Sequence, residues 1–327
     1  MSYASVSKFD AKDARYASLR GRSVLVTGGA GFIGGHLAEA LLALGCNVRI
    51  IDDLTSGHGG NVPADACWIR ASILDDAALH ESVTGCDCVF HHAAMVSVPV
   101  SVEDPIECVR VNIEGTQRVL AASAACGVRR VIFAGSAAAY GDTPIIPSHE
   151  SHAPVSCSPY AASKVAGEQL MMSASRLGLS TVSLRYFNVF GPRQDPRSAY
   201  AAVISAFADR LARKLPVTIH GDGLQTRDFV SIENVVSANL LAATSERDLR
   251  GNIYNVGTGR RVTLLELYQI MSRILGSETL PVFSASRAGD VRDSLADISK
   301  ARSELGYEVL VGLEEGLERM LNGVPAL

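Results

Sequence analysis

Apolar runs and amphipathic stretches alternate through the first half of this chain. Short runs rich in Val, Ile and Leu predict strands near 23–27, 47–52, 67–70, 87–92, 130–135 and 181–186. Apolar residues at helical spacing predict helices between them, near 33–44, 75–82, 104–126 and 158–177. Continuously apolar strands are typical of a parallel sheet that is covered on both faces. The pattern therefore predicts a doubly wound α/β fold, which binds ligands at the carboxyl ends of its strands.

The second half is less regular and predicts a smaller, interleaved unit. Its pattern indicates helices over 201–213, 232–243 and 264–275, a strand over 217–220, and a strand over 252–256 that could rejoin the first sheet. The polar start reads as a lead-in with one short helix over 8–19. We expect a lead-in of residues 1–21, a first domain of 22–185 plus about 228–256, and a second of about 186–227 plus 257–327.

A glycine-rich turn joins the first predicted strand to the first helix. Gly28, Gly31 and Gly34 follow Gly-x-x-Gly-x-x-Gly spacing, which differs from the Gly-x-Gly-x-x-Gly of the usual dinucleotide fingerprint. Glycines suit a tight turn where a diphosphate approaches bare backbone. The helix start at Phe32 and Ile33 offers free N–H groups and the positive end of the helix dipole. A turn that binds no ligand is the alternative; the strand before and the helix after favour a nucleotide.

An acidic pair, Asp52-Asp53, closes the second predicted strand. A carboxylate at this position can accept both hydroxyls of an adenine ribose, and it would repel a 2′-phosphate. The pair therefore favours NAD over NADP. We prefer Asp52 as the ribose ligand, and the alternative for Asp53 is a solvated turn residue.

Ser136, Tyr160 and Lys164 form the candidate catalytic group. Tyr160 and Lys164 lie four residues apart on a helix that begins at Ser158-Pro159, so they share one face. An ammonium beside a phenol lowers the phenol's pKa, which would let Tyr160 take a proton from an alcohol near neutral pH. Ser136 ends a strand at the ligand edge, where its hydroxyl could hold the substrate oxygen. A chance surface pair is the alternative for Tyr160 and Lys164.

Six stretches carry a family resemblance: residues 26–34, 136–141, 160–164, 184–194, 221–229 and 289–292. In them the chain resembles the extended short-chain dehydrogenase/reductase family and, within it, the UDP-sugar 4-epimerases, from about residue 22 to about 310. The resemblance implies a Rossmann-type doubly wound parallel sheet with a smaller interleaved α/β substrate domain. It also implies tightly bound NAD and an isomerase that inverts C4 of a UDP-hexose through a transient 4-keto sugar.

Two alanines help to choose the reaction. Ala137 and Ala138 stand where related dehydratases and decarboxylases carry acids, which favours epimerisation. A UDP-uronic acid 4-epimerase remains an alternative. A net NAD-dependent dehydrogenase or reductase of a nucleotide sugar is the rival from another class.

The resemblance also implies ligand positions. Arg227 and Arg287 would clamp phosphates, Thr218 and His220 would frame the uracil, and Asp290 would meet its ribose. The further cofactor positions are Ile73, Ala93, Asn112, Tyr186 and Val189, beside the catalytic Tyr160 and Lys164. The further substrate positions are Ser97, Asn188, Gln194, Ala202 and Ser294, beside Ser136.

Ser294 bears on the choice of sugar. By the resemblance, its small side chain leaves volume for a 2-acetamido group, whereas Val96 stands where epimerases of N-acetylhexosamines have glycine. We expect activity on UDP-glucose and UDP-galactose and on their N-acetyl forms. Whether Val96 blocks the acetamido pocket is left open.

Composition narrows the class of protein. The 327 residues are 47% hydrophobic and 20% charged, which suits one large or two small globular domains. A net charge of −4 gives no reason to expect nucleic acid. With no apolar run long enough for a bilayer and no secretory start, we expect a cytoplasmic protein without a membrane partner. The seven cysteines are scattered along the chain, so we expect them to be reduced thiols. We expect His91 and His92 to lie in a loop and not to bind a metal.

Two of the predicted helices carry extra apolar or small residues: Val109, Ile113, Val119, Ala166, Leu170 and Met171. In the family that the chain resembles, these helices pair across a dimer as a four-helix bundle. We therefore expect a homodimer, with packing inside one chain as the alternative.

Overall fold

The computed structural model describes residues 13–194, 203–286 and 291–323. Its strands are β1 (Ser23–Thr27), β2 (Asn47–Ile51), β3 (Cys67–Ile69), β4 (Cys88–His91), β5 (Arg130–Ser136), β6 (Ser180–Tyr186), β7 (Asn188–Phe190), β8 (Thr218–His220), β9 (Thr226–Arg227), β10 (Phe229–Ser231), β11 (Ile253–Val256), β12 (Val262–Thr263) and β13 (Val282–Ser284). Seven of them form one sheet in the order β11-β6-β5-β4-β1-β2-β3, with every neighbouring pair parallel. The predicted parallel sheet is confirmed, and the strand near 252–256 does rejoin it.

The helices are α1 (Phe32–Ala43), α2 (Asp76–Val83), α3 (Val98–Glu103), α4 (Pro105–Val109), α5 (Gly115–Ala125), α6 (Pro159–Arg176), α7 (Val203–Ala212), α8 (Ile232–Thr244), α9 (Leu264–Leu275), α10 (Ser299–Leu305) and α11 (Leu313–Asn322). A π-helical turn, Arg110–Glu114, joins α4 to α5. Three 3₁₀ turns cover Ala14–Leu19, Gly59–Asn61 and Ala137–Tyr140. Of the lead-in helix expected over 8–19, residues 8–12 lie outside the described residues.

The helix expected over 104–126 is confirmed, with Asp104 as its N-cap and a π-helical turn inside it. Asp104 ends α3 and caps α4, and its carboxylate accepts the N–H of Glu107 at 3.0 Å. Pro105 at the first position of α4 suits this restart, because proline lacks the N–H that a helix start leaves unpaired. The π-helical turn lies inside this helix, and the backbone stays helical at both of its ends, so α4, the turn and α5 form one continuous helix.

Buried apolar side chains cover both faces of the large sheet. One cluster packs α1, α8 and α10 against it and includes Tyr16 and Leu19 from the lead-in. The other packs α2, α5 and α6 against the opposite face. A third cluster joins α7, α9 and α11 in the second half. Ile298 and Tyr307, which the sequence placed in the second domain, pack with the first cluster.

The topology brings the candidate chemistry to one edge. In the sheet register Thr27 lies beside both Ile51 and His91, and Ser136 lies beside Tyr186. These residues end their strands, so the segments that follow them meet at the carboxyl edge. Within the described ranges, every helix is too short or too polar to cross a bilayer.

Candidate active site

The glycine turn is shaped by close contact of backbone with backbone. Gly28 has a φ of +71°, and a Cβ there would lie 2.6 Å from the Ala93 nitrogen. A Cβ on Gly34 would collide with the carbonyl oxygen of Gly28. Gly31 is the N-cap of α1, and no described side chain caps the first turn at Phe32. The turn thus has the bare backbone and open helix N-terminus that fit a dinucleotide diphosphate.

A buried hydrogen-bond chain fixes the turn and assigns a tautomer to His91. Thr116 Oγ1 donates to the Asn112 carbonyl oxygen at 2.6 Å, so it accepts from His91 Nε2 at 2.9 Å. His91 Nδ1 is then the acceptor for the Thr27 hydroxyl at 2.8 Å, and Thr27 Oγ1 in turn accepts the Ala93 N–H at 3.1 Å. Burial lowers the pKa of His91 to about 3, which keeps the ring neutral. His91 therefore joins the ends of β1 and β4 to Thr116 of α5 and, through Thr116, to the π-helical turn.

The two neighbouring aspartates differ in their surroundings. Asp52 is half-buried, and its carboxylate accepts the N–H groups of Ala30 at 3.0 Å and Leu54 at 2.8 Å. Burial raises its pKa, and these two hydrogen bonds oppose the rise. Asp53 is exposed, and its carboxylate bonds only locally, to Thr55. Asp52 alone of the pair lies against the glycine turn.

Ser136, Tyr160 and Lys164 meet at the carboxyl edge of β5. Ser136 Oγ accepts the Ala138 N–H at 3.2 Å, and its hydroxyl lies close enough to the Tyr160 phenol to lower the phenol's pKa. Lys164 is buried; its Nζ donates to the Ala134 carbonyl oxygen at 2.9 Å and lies 5.9 Å from the centre of the Tyr160 ring. The three side chains named by the sequence are therefore brought together.

The expectation that Lys164 lowers the pKa of Tyr160 was wrong for the protein alone. Burial raises the pKa of the phenol above its ordinary value, and the nearby Ser136 hydroxyl opposes the rise. The Lys164 ammonium lies 5.9 Å from the centre of the Tyr160 ring and donates to a backbone carbonyl, and it does not offset the effect of burial. Burial also lowers the pKa of Lys164 to about 8. A phenolate in this site needs a further positive charge nearby.

Asn112 lies in the π-helical turn and reaches two elements at once. Its Oδ1 accepts the Met95 N–H at 2.7 Å, and its Nδ2 donates to the Met95 carbonyl oxygen at 3.0 Å. The same Nδ2 donates to Ser163 Oγ on α6 at 2.8 Å. Asn112 thus fastens the loop after β4 to the catalytic helix, and π-helical turns recur at functional sites.

The remaining predicted cofactor residues surround this edge. Tyr186 is buried, its ring stacks 6.1 Å from that of His92, and its hydroxyl bonds to Asn239. Burial raises the pKa of that hydroxyl, so Tyr186 stays protonated. Ile73 is buried just after β3, and Val189 is half-buried in β7. All of these lie at or just beyond strand ends.

Three predicted substrate residues lie on backbone segments that are hydrogen-bonded to one another. The Asn188 N–H donates to the Asp228 carbonyl oxygen at 3.0 Å, and the Ser294 N–H donates to that of Thr226 at 3.1 Å. Arg227 lies between these two acceptors, half-buried, with its Nη1 2.8 Å from the Thr226 carbonyl oxygen. Asn188, Arg227 and Ser294 are therefore held on adjoining backbone.

The predicted uracil residues lie in β8. Thr218 is exposed, whereas the ring of His220 is held by Ser284 Oγ of β13 at 2.8 Å. The carbonyl oxygen of His220 accepts from Gln225 Nε2 at 2.6 Å, while the buried Oε1 of Gln225 has no hydrogen-bond partner among the described residues. Sequence reasoning missed both residues: Ser284 stands in no recognisable pattern, and Gln225 lies in the stretch 221–229 but was given no role.

The residues predicted to lie near the sugar differ from one another in their surroundings. Ser97 caps α3, with its Oγ accepting the Val100 N–H at 3.3 Å, and Val96 beside it is 60% exposed. Gln194 Nε2 donates to the Val189 carbonyl oxygen at 3.1 Å. The predicted positions Ala202, Arg287 and Asp290 lie outside the described residues.

Residues 24–257 match the profile of a family described as the NAD dependent epimerase/dehydratase family. That match spans well over half of the chain. This chain belongs to that family. Sequence relatives within it include the UDP-glucose 4-epimerase of Mycolicibacterium smegmatis, which is 37% identical over 90% of this chain and 96% of its own length.

Solved structures of the family share the same fold. UDP-N-acetylglucosamine 4-epimerase from Methanobrevibacter ruminantium, in complex with UDP-N-acetylmuramic acid, is 37% identical with a TM-score of 0.89, covering 93% of this chain and 98% of its own. UDP-glucuronic acid 4-epimerase from Bacillus cereus, in complex with UDP-glucuronic acid and NAD, is 31% identical with a TM-score of 0.85, covering 92% of this chain and 98% of its own. The likeness extends over both halves of the fold.

Proposed function

We propose that this protein is an NAD-dependent UDP-sugar 4-epimerase that inverts C4 through a transient 4-keto sugar. The observation that carries the proposal is the meeting of Ser136, Tyr160 and Lys164 at the carboxyl edge of β5, which only β4 separates from the strand that leads into the glycine turn. The 3₁₀ turn Ala137–Tyr140, which follows Ser136, contains no acid. The site therefore offers proton transfer at one carbinol and no carboxylate on that turn for elimination or decarboxylation.

The chain's own residues handle the proton and the oxygen. Ser136 Oγ accepts a backbone N–H, which leaves its own proton for Tyr160 or the substrate oxygen. Tyr160 takes the proton of the sugar 4-hydroxyl and later returns it to the same oxygen. Lys164 holds a buried positive charge beside the phenol.

The cofactor fits the glycine turn, the open N-terminus of α1 and the Asp52 carboxylate. Bound there, oxidised NAD would supply a reversible hydride acceptor for C4 of the sugar and a positive charge that favours the phenolate. Because each cycle ends with the starting cofactor, turnover needs no added NAD. A dehydrogenase or reductase on the same fold would instead accumulate NADH.

The substrate-binding residues would bind UDP tightly and the hexose weakly, so that the hexose can turn over between the two hydride transfers. Arg227 and Asn188 lie on adjoining backbone, where they would meet the diphosphate, and Thr218 and His220 would frame the uracil. Ser294 leaves room beside the sugar. We propose UDP-glucose and UDP-galactose and their N-acetyl forms as substrates, with Val96 limiting the acetamido group.

UDP-glucuronate is the second candidate substrate. The Bacillus cereus relative is named for it, and Arg227 with Ser294 offers a cation and a hydroxyl that could meet a carboxylate. The same chemistry at C4 would serve either sugar.

The test incubates purified protein with UDP-glucose, UDP-N-acetylglucosamine or UDP-glucuronate, without added NAD, and separates products by chromatography. We expect C4 epimers from the first two and no net NADH. Tyr160→Phe should lower the rate at least a hundredfold with the fold retained. Net NADH release, or a near-normal rate in that variant, would contradict the proposed function.

Glycine at position 96 tests the choice of sugar. Val96→Gly removes an exposed branched side chain beside Ser97. We expect the ratio of kcat/KM for UDP-N-acetylglucosamine to that for UDP-glucose to rise roughly tenfold. An unchanged ratio would mean that Val96 does not limit the acetamido pocket.

We further propose a homodimer through α4, the π-helical turn and α6. Val109 is 48% exposed, and Ile113, Ala166 and Leu170 are half-buried and reachable by a partner. Val119 and Met171, also named from the sequence, are wholly buried in this chain's own core, so they are removed from the expected interface. Light scattering tests the mass, and a monomer would oppose the proposal.

A further inference from the structure

Hydroxyl groups hold both backbone groups of Tyr160. Ser101 Oγ of α3 accepts the Tyr160 N–H at 3.1 Å. Ser163 Oγ donates to the Tyr160 carbonyl oxygen at 2.8 Å. Ser101 is 0% exposed and Ser163 is 1% exposed, so water does not compete for either bond. The peptide groups that carry the catalytic phenol are therefore fixed from two directions.

The N–H of Tyr160 needs an acceptor from outside its helix. α6 begins at Pro159, and the first N–H groups of a helix have no partner within it. The N-cap Ser158 serves Ala161 with its side chain and does not serve Tyr160. Ser101 fills this need from α3.

The direction of each hydroxyl is set by a second bond. Ser101 Oγ donates its proton to the Val98 carbonyl oxygen at 2.6 Å, which leaves a lone pair for Tyr160. Ser163 Oγ receives the Asn112 Nδ2 proton at 2.8 Å, so its own proton goes to Tyr160. A helical serine often bonds back to its own helix; the bond from Asn112 is what connects this one to the π-helical turn and the loop at Met95.

We propose that Ser101 and Ser163 are positioning residues for the general base. This role rests on the proposed function: the two serines hold the Tyr160 backbone, so that the phenol keeps its place beside Ser136. Neither serine needs to touch the substrate. Through Asn112, Ser163 also ties this placement to the loop that follows β4.

The experiment compares Ser101→Ala and Ser163→Ala with a matched control. Ser123→Ala makes the same change at a serine of α5 that is also 0% exposed, and whose hydroxyl has no hydrogen-bond partner among the described residues. Ser163→Thr retains the hydroxyl. Steady-state rates are measured across pH with UDP-glucose, after circular dichroism has confirmed the fold.

Loss of either bond should act on kcat and not on KM. We expect kcat to fall about tenfold to a hundredfold in Ser101→Ala and Ser163→Ala, with KM nearly constant, because small misplacement of a reacting group is costly. Ser136 lowers the pKa of Tyr160, so a phenol that moves away from Ser136 should have a higher pKa, and the acidic limb of the kcat/KM profile should move to higher pH. Ser163→Thr should retain more activity than Ser163→Ala, and Ser123→Ala should match the wild type.

A measurement without turnover separates this inference from the proposed function. In protein labelled with ¹³Cζ-tyrosine, the signal lost in Tyr160→Phe identifies Tyr160, and its titration gives the phenol pKa. We expect a higher pKa in both alanine variants and none of this rise in Ser123→Ala. If the wild type epimerises no UDP-sugar, the proposed function fails while this titration still decides the positioning role.

Three results would overturn the positioning role. They are wild-type rates and an unmoved titration in both alanine variants, a rise in KM with kcat unchanged, and an equal loss in Ser123→Ala. Should Ser101→Ala not fold, the comparison of Ser163→Ala with Ser163→Thr decides alone: equal loss in both variants contradicts a role for the hydroxyl.

Discussion

Glu168 and Arg185 form a buried, two-pronged ion pair between the catalytic helix and the strand β6. Arg185 Nε and Nη2 each lie 2.7 Å from a carboxylate oxygen of Glu168, and both residues are at most 1% exposed. The guanidinium also lies over the Tyr140 ring, 4.6 Å from its centre. Glu168 follows Lys164 by about one helical turn, so the pair anchors α6 directly behind the catalytic residues.

Removing one member of this pair should destabilise the protein strongly. Glu168→Gln leaves the guanidinium buried without its counter-charge, and we expect a loss of about 3–5 kcal/mol in the free energy of unfolding. Urea denaturation measures it. Arg118→Ala breaks a solvent-screened pair with Asp76 and Glu114 and should cost far less. Similar losses in the two variants would contradict the distinction between buried and exposed pairs.

Gly28→Ala should release the cofactor. The new Cβ would lie 2.6 Å from the Ala93 nitrogen, so the turn that receives the diphosphate must open. Gly85→Ala is the matched control, because Gly85 has a similar φ of +76° and nothing within 4 Å of its Cβ position. The NAD freed by denaturing each purified protein is the measurement. Equal NAD content in both variants would show that the close contact with Ala93 is unimportant.

Substitutions at Asp52 and Asp53 should have different effects on the affinity for NAD. Asp52→Asn removes the charge that lies against the glycine turn, and we expect NAD binding to weaken by about 1.5–3 kcal/mol. Asp53→Asn changes an exposed side chain bonded to Thr55 and should leave affinity unchanged. Calorimetric titration of cofactor-stripped protein compares them. A larger effect at Asp53 would reverse the assignment of the ribose ligand.

The charge of Lys164 should make stability depend on pH. Burial lowers the pKa of its amine from 10.5 to about 8, so between these values the unfolded chain binds the proton and the folded chain does not. The cost of burying the charge is full below about pH 8 and is lost as pH rises to 10.5.

Lys164→Met measures that cost. In cofactor-stripped protein at pH 7 the variant should be more stable than the wild type by up to about 3 kcal/mol, and it should be inactive. The difference between the two unfolding free energies should shrink steadily above pH 8. A difference that is constant across this range would rule out the lowered pKa.

The sequence by itself determined the large sheet and the motifs at its edge. Unbroken apolar strands and amphipathic helices leave one economical way to bury both faces, so the parallel sheet followed from pattern alone. Tyr160 and Lys164 could be paired because a helix brings residues four apart together. The glycine spacing likewise reflects local backbone demands, which sequence carries directly.

Only the tertiary structure decided how the site is held. Contacts between distant segments decide which aspartate, Asp52 or Asp53, faces the glycine turn. They also decide the π-helical turn that presents Asn112, the bond from Tyr160 to Ser101, and the Glu168–Arg185 pair. The pKa of Tyr160 was misjudged for the same reason. Burial, which raises it, is a property of the packed site, whereas the spacing to Lys164 is a property of the helix alone.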